Sequence, residues 1–170
     1  KSIQIIMYAI WFVLEKNDTE YFANIIDDLS AKYDAQPFQP HITAYGLVDI
    51  SLDKLDEIVR NSIKDQKQFV IKKSNISYSD VFWKTLYVEF QPNVQLTKIG
   101  EKLTASLQSY ASYDFIPHVS LIYKNMAISE QKKLADTIEI KENFTVTQMW
   151  IQQFHEDITK WKIVKKYELD

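Results

Sequence analysis

Phe38-Gln39-Pro40-His41-Ile42-Thr43 is echoed by Phe115-Ile116-Pro117-His118-Val119-Ser120. Both hexapeptides read Phe-x-Pro-His-apolar-hydroxyl, and both lead into strand-like runs, His41–Val48 and His118–Tyr123. Each also follows a stretch with apolar residues at helical spacing. One histidine with a hydroxyl two places on is commonplace; two such pairs behind the same Phe and Pro point to an internal duplication. On a strand, residues i and i+2 share a face. His41 and Thr43 therefore project together, as do His118 and Ser120, while Ile42 and Val119 turn toward the core. Two halves packed about a pseudo-two-fold axis bring both pairs to one cleft. That cleft holds two imidazoles for proton transfer and two neutral hydroxyl donors. The set suits a phosphodiester: one histidine acts as base on water, the other as acid on the leaving oxygen, and the hydroxyls hold the non-bridging oxygens.

Strands and helices alternate around these hexapeptides. The apolar run Ile3–Leu14 reads as a buried strand. At about 12 residues it is too short to span a bilayer, and no small-residue cleavage site follows it, so a signal peptide is not expected. Asn17, with Glu20 three residues on, resembles a capping pair before a helix carrying Phe22, Ile25, Ile26, Leu29 and Tyr33. Ser51 caps a second helix with Leu52, Leu55, Val59 and Ile63 on one stripe. Strands are expected near Phe69–Tyr78 and Phe82–Phe90, and Pro92 is expected to open a helix with Leu96, Ile99, Leu103 and Leu107. A brief helix from Ser129 precedes a hairpin of Phe144–His155 and Lys160–Tyr167. The interleaving, with adjacent alternating strands at the end, predicts a single compact α+β domain with largely antiparallel sheet.

The scarce residues narrow the chemistry. The 170 residues include no cysteine, two glycines, three histidines and, among twenty basic residues, only Arg60. Without cysteine there are no disulfides, thiolate zinc sites or cysteine nucleophiles. Gly46 and Gly100 lie too far apart for a phosphate-cradling glycine loop. A net charge of −3 and a single arginine argue against duplex nucleic acid as a partner. The bland alternatives are specific. Two histidines without carboxylate spacing are thin for a metal site, which wants three or four ligands; His155 could add a third but lacks the Phe-x-Pro context and reads as a surface or cleft-rim residue. Trp83, Trp150 and Trp161 read as core, and the lysines of Lys160–Lys166 as a solvated strand face. No metal or other cofactor is expected, nor a membrane partner. A cytoplasmic monomer is expected.

At these residues the chain resembles the 2H phosphoesterase superfamily, defined by two His-x-Thr/Ser motifs in a duplicated, two-lobed α+β fold. Within it, the resemblance is greatest to the plant and yeast cyclic phosphodiesterase family. Tyr8-Ala9-Ile10-Trp11 looks like that family's first strand. His118-Val119-Ser120-Leu121-Ile122-Tyr123 is similar to its His-x-Ser-Leu-Leu-Tyr, and Asp157–Val164 resembles its closing strand pair in a slightly shorter form. The resemblance implies a single two-lobed α+β domain over residues 1–170, with two mainly antiparallel sheets flanked by helices and a cleft between the lobes. It also implies metal-independent hydrolysis of small cyclic phosphodiesters: ADP-ribose 1″,2″-cyclic phosphate, nucleoside 2′,3′-cyclic phosphates, or both. It makes His41 and His118 catalytic, Thr43 and Ser120 phosphate-binding, Tyr123 a phosphate or substrate contact, and Trp11 an apolar wall near the cleft mouth. It leans toward His118 activating water and His41 protonating the leaving oxygen. The first motif departs from the family by ending Thr43-Ala44-Tyr45 in place of valines. Two alternatives stay open. One is RNA 2′,3′-cyclic end processing or 2′–5′ ligase-like chemistry, against which Tyr45 and Ile122 stand where that branch often has arginine. The other is a nucleotide-binding module without turnover.

Overall fold

The apolar run near the amino terminus forms β1, Tyr8–Leu14, with all seven residues buried. The computed structural model describes residues 5–170, so Ile3 and Gln4, expected to begin this strand, lie outside the described residues. A strand hidden on both faces needs partners along both edges. β1 pairs antiparallel with β2 (Ile42–Val48) on one side and β6 (Asn143–Gln153) on the other. Between β1 and β2 runs α1 (Lys16–Tyr33). Its cap is Glu15 rather than Asn17: the strand ends at Leu14, so Asn17 already lies in the first turn, and the Glu15 carboxylate accepts from the Asp18 backbone N–H at 2.7 Å.

Ser51 caps α2 (Leu52–Ile63) as its sequence position predicts, accepting from the Lys54 N–H. β3 (Phe69–Tyr78) follows. The strand expected from Phe82 is shorter than its apolar pattern. Phe82–Lys84 forms a 3-10 turn, and only Leu86–Phe90 extends as β4. Hydroxyls win this competition: Ser79 Oγ donates to the Lys84 carbonyl at 2.6 Å, and Thr85 Oγ1 to the Phe82 carbonyl at 2.9 Å. Asn93, rather than Pro92, opens α3 (Val94–Leu107), its side chain accepting from the Leu96 N–H. β5 (His118–Ile122), α4 (Ile128–Thr137) and β7 (Lys162–Glu168) complete the chain, with a second 3-10 turn, Ile158–Lys160, before β7.

The α+β class and antiparallel pairing stand as expected, but the two expected sheets are joined edge to edge into one. The seven strands run β1-β2-β5-β4-β3-β6-β7, and the β1–β6 pairing closes the first six into a circuit. The thinnest link in that circuit decides where the site sits. β2 and β5 share a single register pair, Ile42 with Val119, both fully buried. Antiparallel continuation on either side of this pair sets His41 toward Ser120 and Thr43 toward His118. The two hexapeptides thus meet at their own apolar middle residues, and all four polar side chains fall on the opposite face.

One main core of buried side chains lies behind that face, including Phe12, Phe22, Val88, Leu96, Leu103 and Val146. A smaller cluster of Ala9, Trp11 and Val13, with Trp150, Trp161 and Ile163 against it, forms the cleft side of β1. Alternation along β1 explains the split: odd-numbered residues face the cleft and even-numbered ones the core. The two glycines seat aromatic rings. A Cβ on Gly46 would lie 2.7 Å from the Tyr113 ring, and one on Gly100 would lie 2.7 Å from Phe115. Both rings belong to the segment leading into His118. Among the described residues no helix is long and apolar enough to cross a membrane.

Candidate active site

A cleft of about 290 Å³ gathers His41, Thr43, His118 and Ser120, together with Trp11 and Tyr123. All six residues singled out from the sequence therefore line one cavity. Its size sits at the small end of the range for small-molecule sites.

The two imidazoles are held by the same device. His41 Nδ1 lies 2.8 Å from the Gln39 carbonyl, and His118 Nδ1 lies 2.7 Å from the Ile116 carbonyl. A carbonyl oxygen can only accept, so each Nδ1 carries the proton and each neutral ring keeps its lone pair on Nε2. This gives the proline in each motif a physical role. It biases the residue before it toward extended backbone, whose carbonyl then meets the histidine ring.

Their surroundings differ. His41 is 9% exposed and stacked flat on Trp11, with ring centroids 3.7 Å apart and planes 11° apart. The Trp161 edge approaches it at 6.2 Å. Burial pulls the His41 pKa down to about 4, against the Gln39 carbonyl, which favours the charged ring; His118 adds a smaller lowering. His118 is half-buried, with the Tyr87 edge at 5.3 Å and Glu89 opposite it on β4. Its pKa is also lowered, chiefly by burial; the Ile116 carbonyl and Glu89 raise it, and Lys84 lowers it.

Other sequence-derived assignments need adjustment. Trp11 does not stand at the mouth of the cleft: at 2% exposure it is the floor beneath His41. Because Ile42 and Val119 occupy the seam, the cleft-facing side of β1 lies directly beside His41. Ser120 is no free donor as it stands, since its Oγ donates to the Trp83 carbonyl at 2.8 Å. Tyr123 is buried, stacked on Phe38 at 3.8 Å and edge-on to Trp83, and burial raises its pKa. Trp83 and Trp161, expected in the core, line the cleft with Phe154. Trp150 remains in the packing beside Trp11, its ring covered by Lys166 at 4.4 Å. His155 lies outside the cleft lining, its Nδ1 accepting from the Asp157 N–H.

Three lining residues escape sequence reasoning. Lys84 is the one lysine or arginine on the cleft wall, its Nζ 4.6 Å from the Tyr87 ring centre. Gln152 lies on β6, and Tyr113 packs on Gly46, its hydroxyl pKa raised to about 12 by burial. Lys84 carries no signal apart from its aromatic neighbours, and Gln152 sits in an alternating strand where glutamine is unremarkable. Among the described residues no three His, Asp or Glu side chains cluster as a metal would require.

Residues 7–169 match the family model described as cyclic phosphodiesterase-like protein. Of the curated proteins, cyclic phosphodiesterase of Arabidopsis thaliana is 18% identical over 126 residues, covering 74% of this chain and 70% of its own. Of the solved structures, LigT of Escherichia coli complexed with 3′-AMP superposes with a TM-score of 0.66 at 15% identity, covering 98% of this chain and 99% of that one. The TT0787 protein of Thermus thermophilus gives 0.66 at 11% identity, covering 96% and 97%. These folds share the α+β architecture described above. The match spans the first strand, both histidine hexapeptides and the closing strand pair, and the chain belongs to the cyclic phosphodiesterase-like family of the 2H phosphoesterases, a family of phosphodiesterase enzymes.

Proposed function

We propose that this protein hydrolyses small cyclic phosphodiesters, nucleoside 2′,3′-cyclic phosphates or ADP-ribose 1″,2″-cyclic phosphate, by acid–base catalysis between His41 and His118. The observation that carries this reading is the matched tautomer: each Nδ1 is committed to a backbone carbonyl, leaving each Nε2 free for a proton on the cleft side. One Nε2 accepts a proton from water as the oxygen attacks phosphorus. The other delivers a proton to the departing ribose oxygen. Water adds across one P–O bond, the ring opens to a monoester and a hydroxyl, and the pair exchanges protonation states.

The half-open His118 is placed to meet incoming water and serve as base. His41, flat against Trp11, serves as acid, because an imidazolium whose pKa burial holds low gives up its proton readily. Burial leaves both rings neutral at pH 7 in the free protein, so the proton arrives with the anionic substrate, whose charge favours the imidazolium. Thr43 and Ser120 hold the non-bridging oxygens, the latter after its hydroxyl turns from the Trp83 carbonyl. Lys84 supplies countercharge.

His41→Ala and His118→Ala should each lower turnover of 2′,3′-cyclic nucleotides by roughly 10²–10⁴, with turnover insensitive to chelator. Undiminished turnover in both variants defeats the reading. Because both pKa values are lowered, the bell in kcat/KM should be centred on the acid side of 6.5, with one limb near 4. RNA end processing is the second reading. The small, aromatic-walled cleft with one lysine favours a mononucleotide, and strong preference for an oligonucleotide ending in a cyclic phosphate would reverse that choice. Tight mononucleotide binding without product would instead mark a binding module.

A further inference from the structure

The side-chain amide of Gln152 is 1% exposed and lines the same cleft as the histidines. Its Nε2 is buried, and no hydrogen-bond partner reaches it among the described residues. A buried amide is normally satisfied; the hydroxyl of Ser30 on α1 is also buried without a partner, but it does not line the cleft. Gln131, similarly buried, donates from Nε2 to the carbonyls of Ser79 at 2.7 Å and Thr85 at 2.9 Å. Gln152 is thus a polar group spent inside an otherwise aromatic wall, with its donor uncommitted.

Its neighbours define what can meet it. Across the ladder it pairs with Ala9 of β1, and on the other edge with Ile163. Phe154 lies two residues on and shares its face. It is edge-on to Trp83 at 5.8 Å and tilted against Trp161 at 6.3 Å, and all three rings line the cleft. Flat aromatic walls select a planar ring, and a buried N–H beside them selects an acceptor on that ring's edge. The position along β1 is equally specific. Trp11 supports His41, and Ala9, opposite Gln152, is two residues away, a step of roughly 7 Å. That step is on the scale of one ribose, the spacer between a cyclic phosphate and its base.

We propose that Gln152 reads the base of the substrate, its Nε2–H donating to a carbonyl or ring-nitrogen acceptor of a nucleobase held between the cleft aromatics. Gln152 is therefore a specificity residue that distinguishes nucleoside phosphates from the same phosphates without a base. The proposal rests on the cyclic-nucleotide reading of the cleft, and its test separates the two. Gln152→Met keeps length and removes the donor; Gln152→Asn keeps the amide but withdraws it by one methylene and covers the case in which the Met variant does not fold.

Two measurements are made on folded protein. In the first, cytidine, uridine and adenosine 2′,3′-cyclic phosphates are compared with the methyl riboside 2,3-cyclic phosphate, which has no base. In the second, calorimetry compares nucleoside 2′-monophosphates with methyl riboside 2-phosphate. The variants should raise KM, and the calorimetric Kd, by about tenfold for at least one base-bearing ligand. Their kcat, and all values for the base-free ligand, should stay within twofold. Equal losses with and without a base overturn the proposal, as does no loss at all, or wild-type protein that binds the base-free ligand as tightly as the nucleotides. Wild-type protein that turns over nothing yet shows the selective calorimetric loss leaves Gln152 its role and removes the hydrolytic reading instead.

Discussion

His41 and His118 come from one repeated hexapeptide and are held by one repeated hydrogen bond, yet they sit in different media. His41 is sealed between Trp11 and the Trp161 edge. His118 is half-buried among Tyr87, Glu89 and Lys84. The repeated hexapeptide supplies two identical imidazoles, whereas the proposed displacement at phosphorus needs two different ones. The difference comes from neither motif. It comes from β1, which has an aromatic residue under one histidine, and from the turn and strand of residues 82–90, which set one charge of each sign near the other. Here the repeat fixes position and tautomer, and unrepeated neighbours set proton affinity.

The largest break in this comparison is removal of either ring, with the rate losses of roughly 10²–10⁴ described above. A smaller break concerns stability. An unfolded histidine titrates near 6.5, while folded His41 resists protonation down to about 4. Between those values the unfolded chain binds the proton and the folded chain does not, so stability falls as pH drops from 6.5 toward 4 and is unaffected by this group above that window. The full shift corresponds to about 3 kcal/mol. Urea unfolding of His41→Gln should show a correspondingly flatter loss across that window, whereas His118→Gln should flatten it less. Equal flattening by both would erase the asymmetry.

Next in size is the seat of the His118 lead-in. Gly100→Ala would set a methyl 2.7 Å from the Phe115 ring. Overpacking of this kind costs roughly 1–3 kcal/mol. Phe115 precedes Ile116, whose carbonyl orients His118, so turnover should fall along with stability. His41 stands on the other lead-in, and its NMR titration near 4 should be unmoved. A shift of the His41 titration instead would show that the two lead-ins are mechanically one.

The sequence was most legible where geometry is local. The hexapeptide repeat, the i, i+2 rule and the burial of Ile42 and Val119 follow from strand alternation alone, and the structure brings together all four polar residues thus identified. Ser51 and β3 likewise lie where their patterns put them. What escaped depends on long-range contact. Trp11 as the floor under His41 requires the β1–β2 register, which bulges between Tyr8 and Trp11. The merging of two sheets into one runs through the four β3–β6 register pairs and the single β2–β5 pair at the seam, neither of which strand alternation reveals. Lys84 enters the cleft only because hydroxyls at Ser79 and Thr85 curl a strand-like segment into a turn. Gln152 reveals itself only through the partner it lacks.

The finest test of the comparison uses charge alone. Glu89, opposite His118 and hydrogen-bonded by Ser77 Oγ at 2.8 Å, favours the His118 imidazolium; Lys84 disfavours it. Glu89→Gln keeps the Ser77 partner but deletes the negative charge, so the His118 titration should move to lower pH. Lys84→Met deletes the positive charge, so the same titration should move to higher pH. Neither charge is among the groups that set His41, whose pKa follows burial, the Gln39 carbonyl and His118. Imidazole NMR titration of the two variants should therefore show opposite shifts at His118 and little movement at His41. The kcat/KM profile should follow with the His118 limb displaced and the limb near 4 in place. Movement of both limbs together would mean that the two rings titrate as one coupled pair, and that the difference between their surroundings does not divide the labour between them.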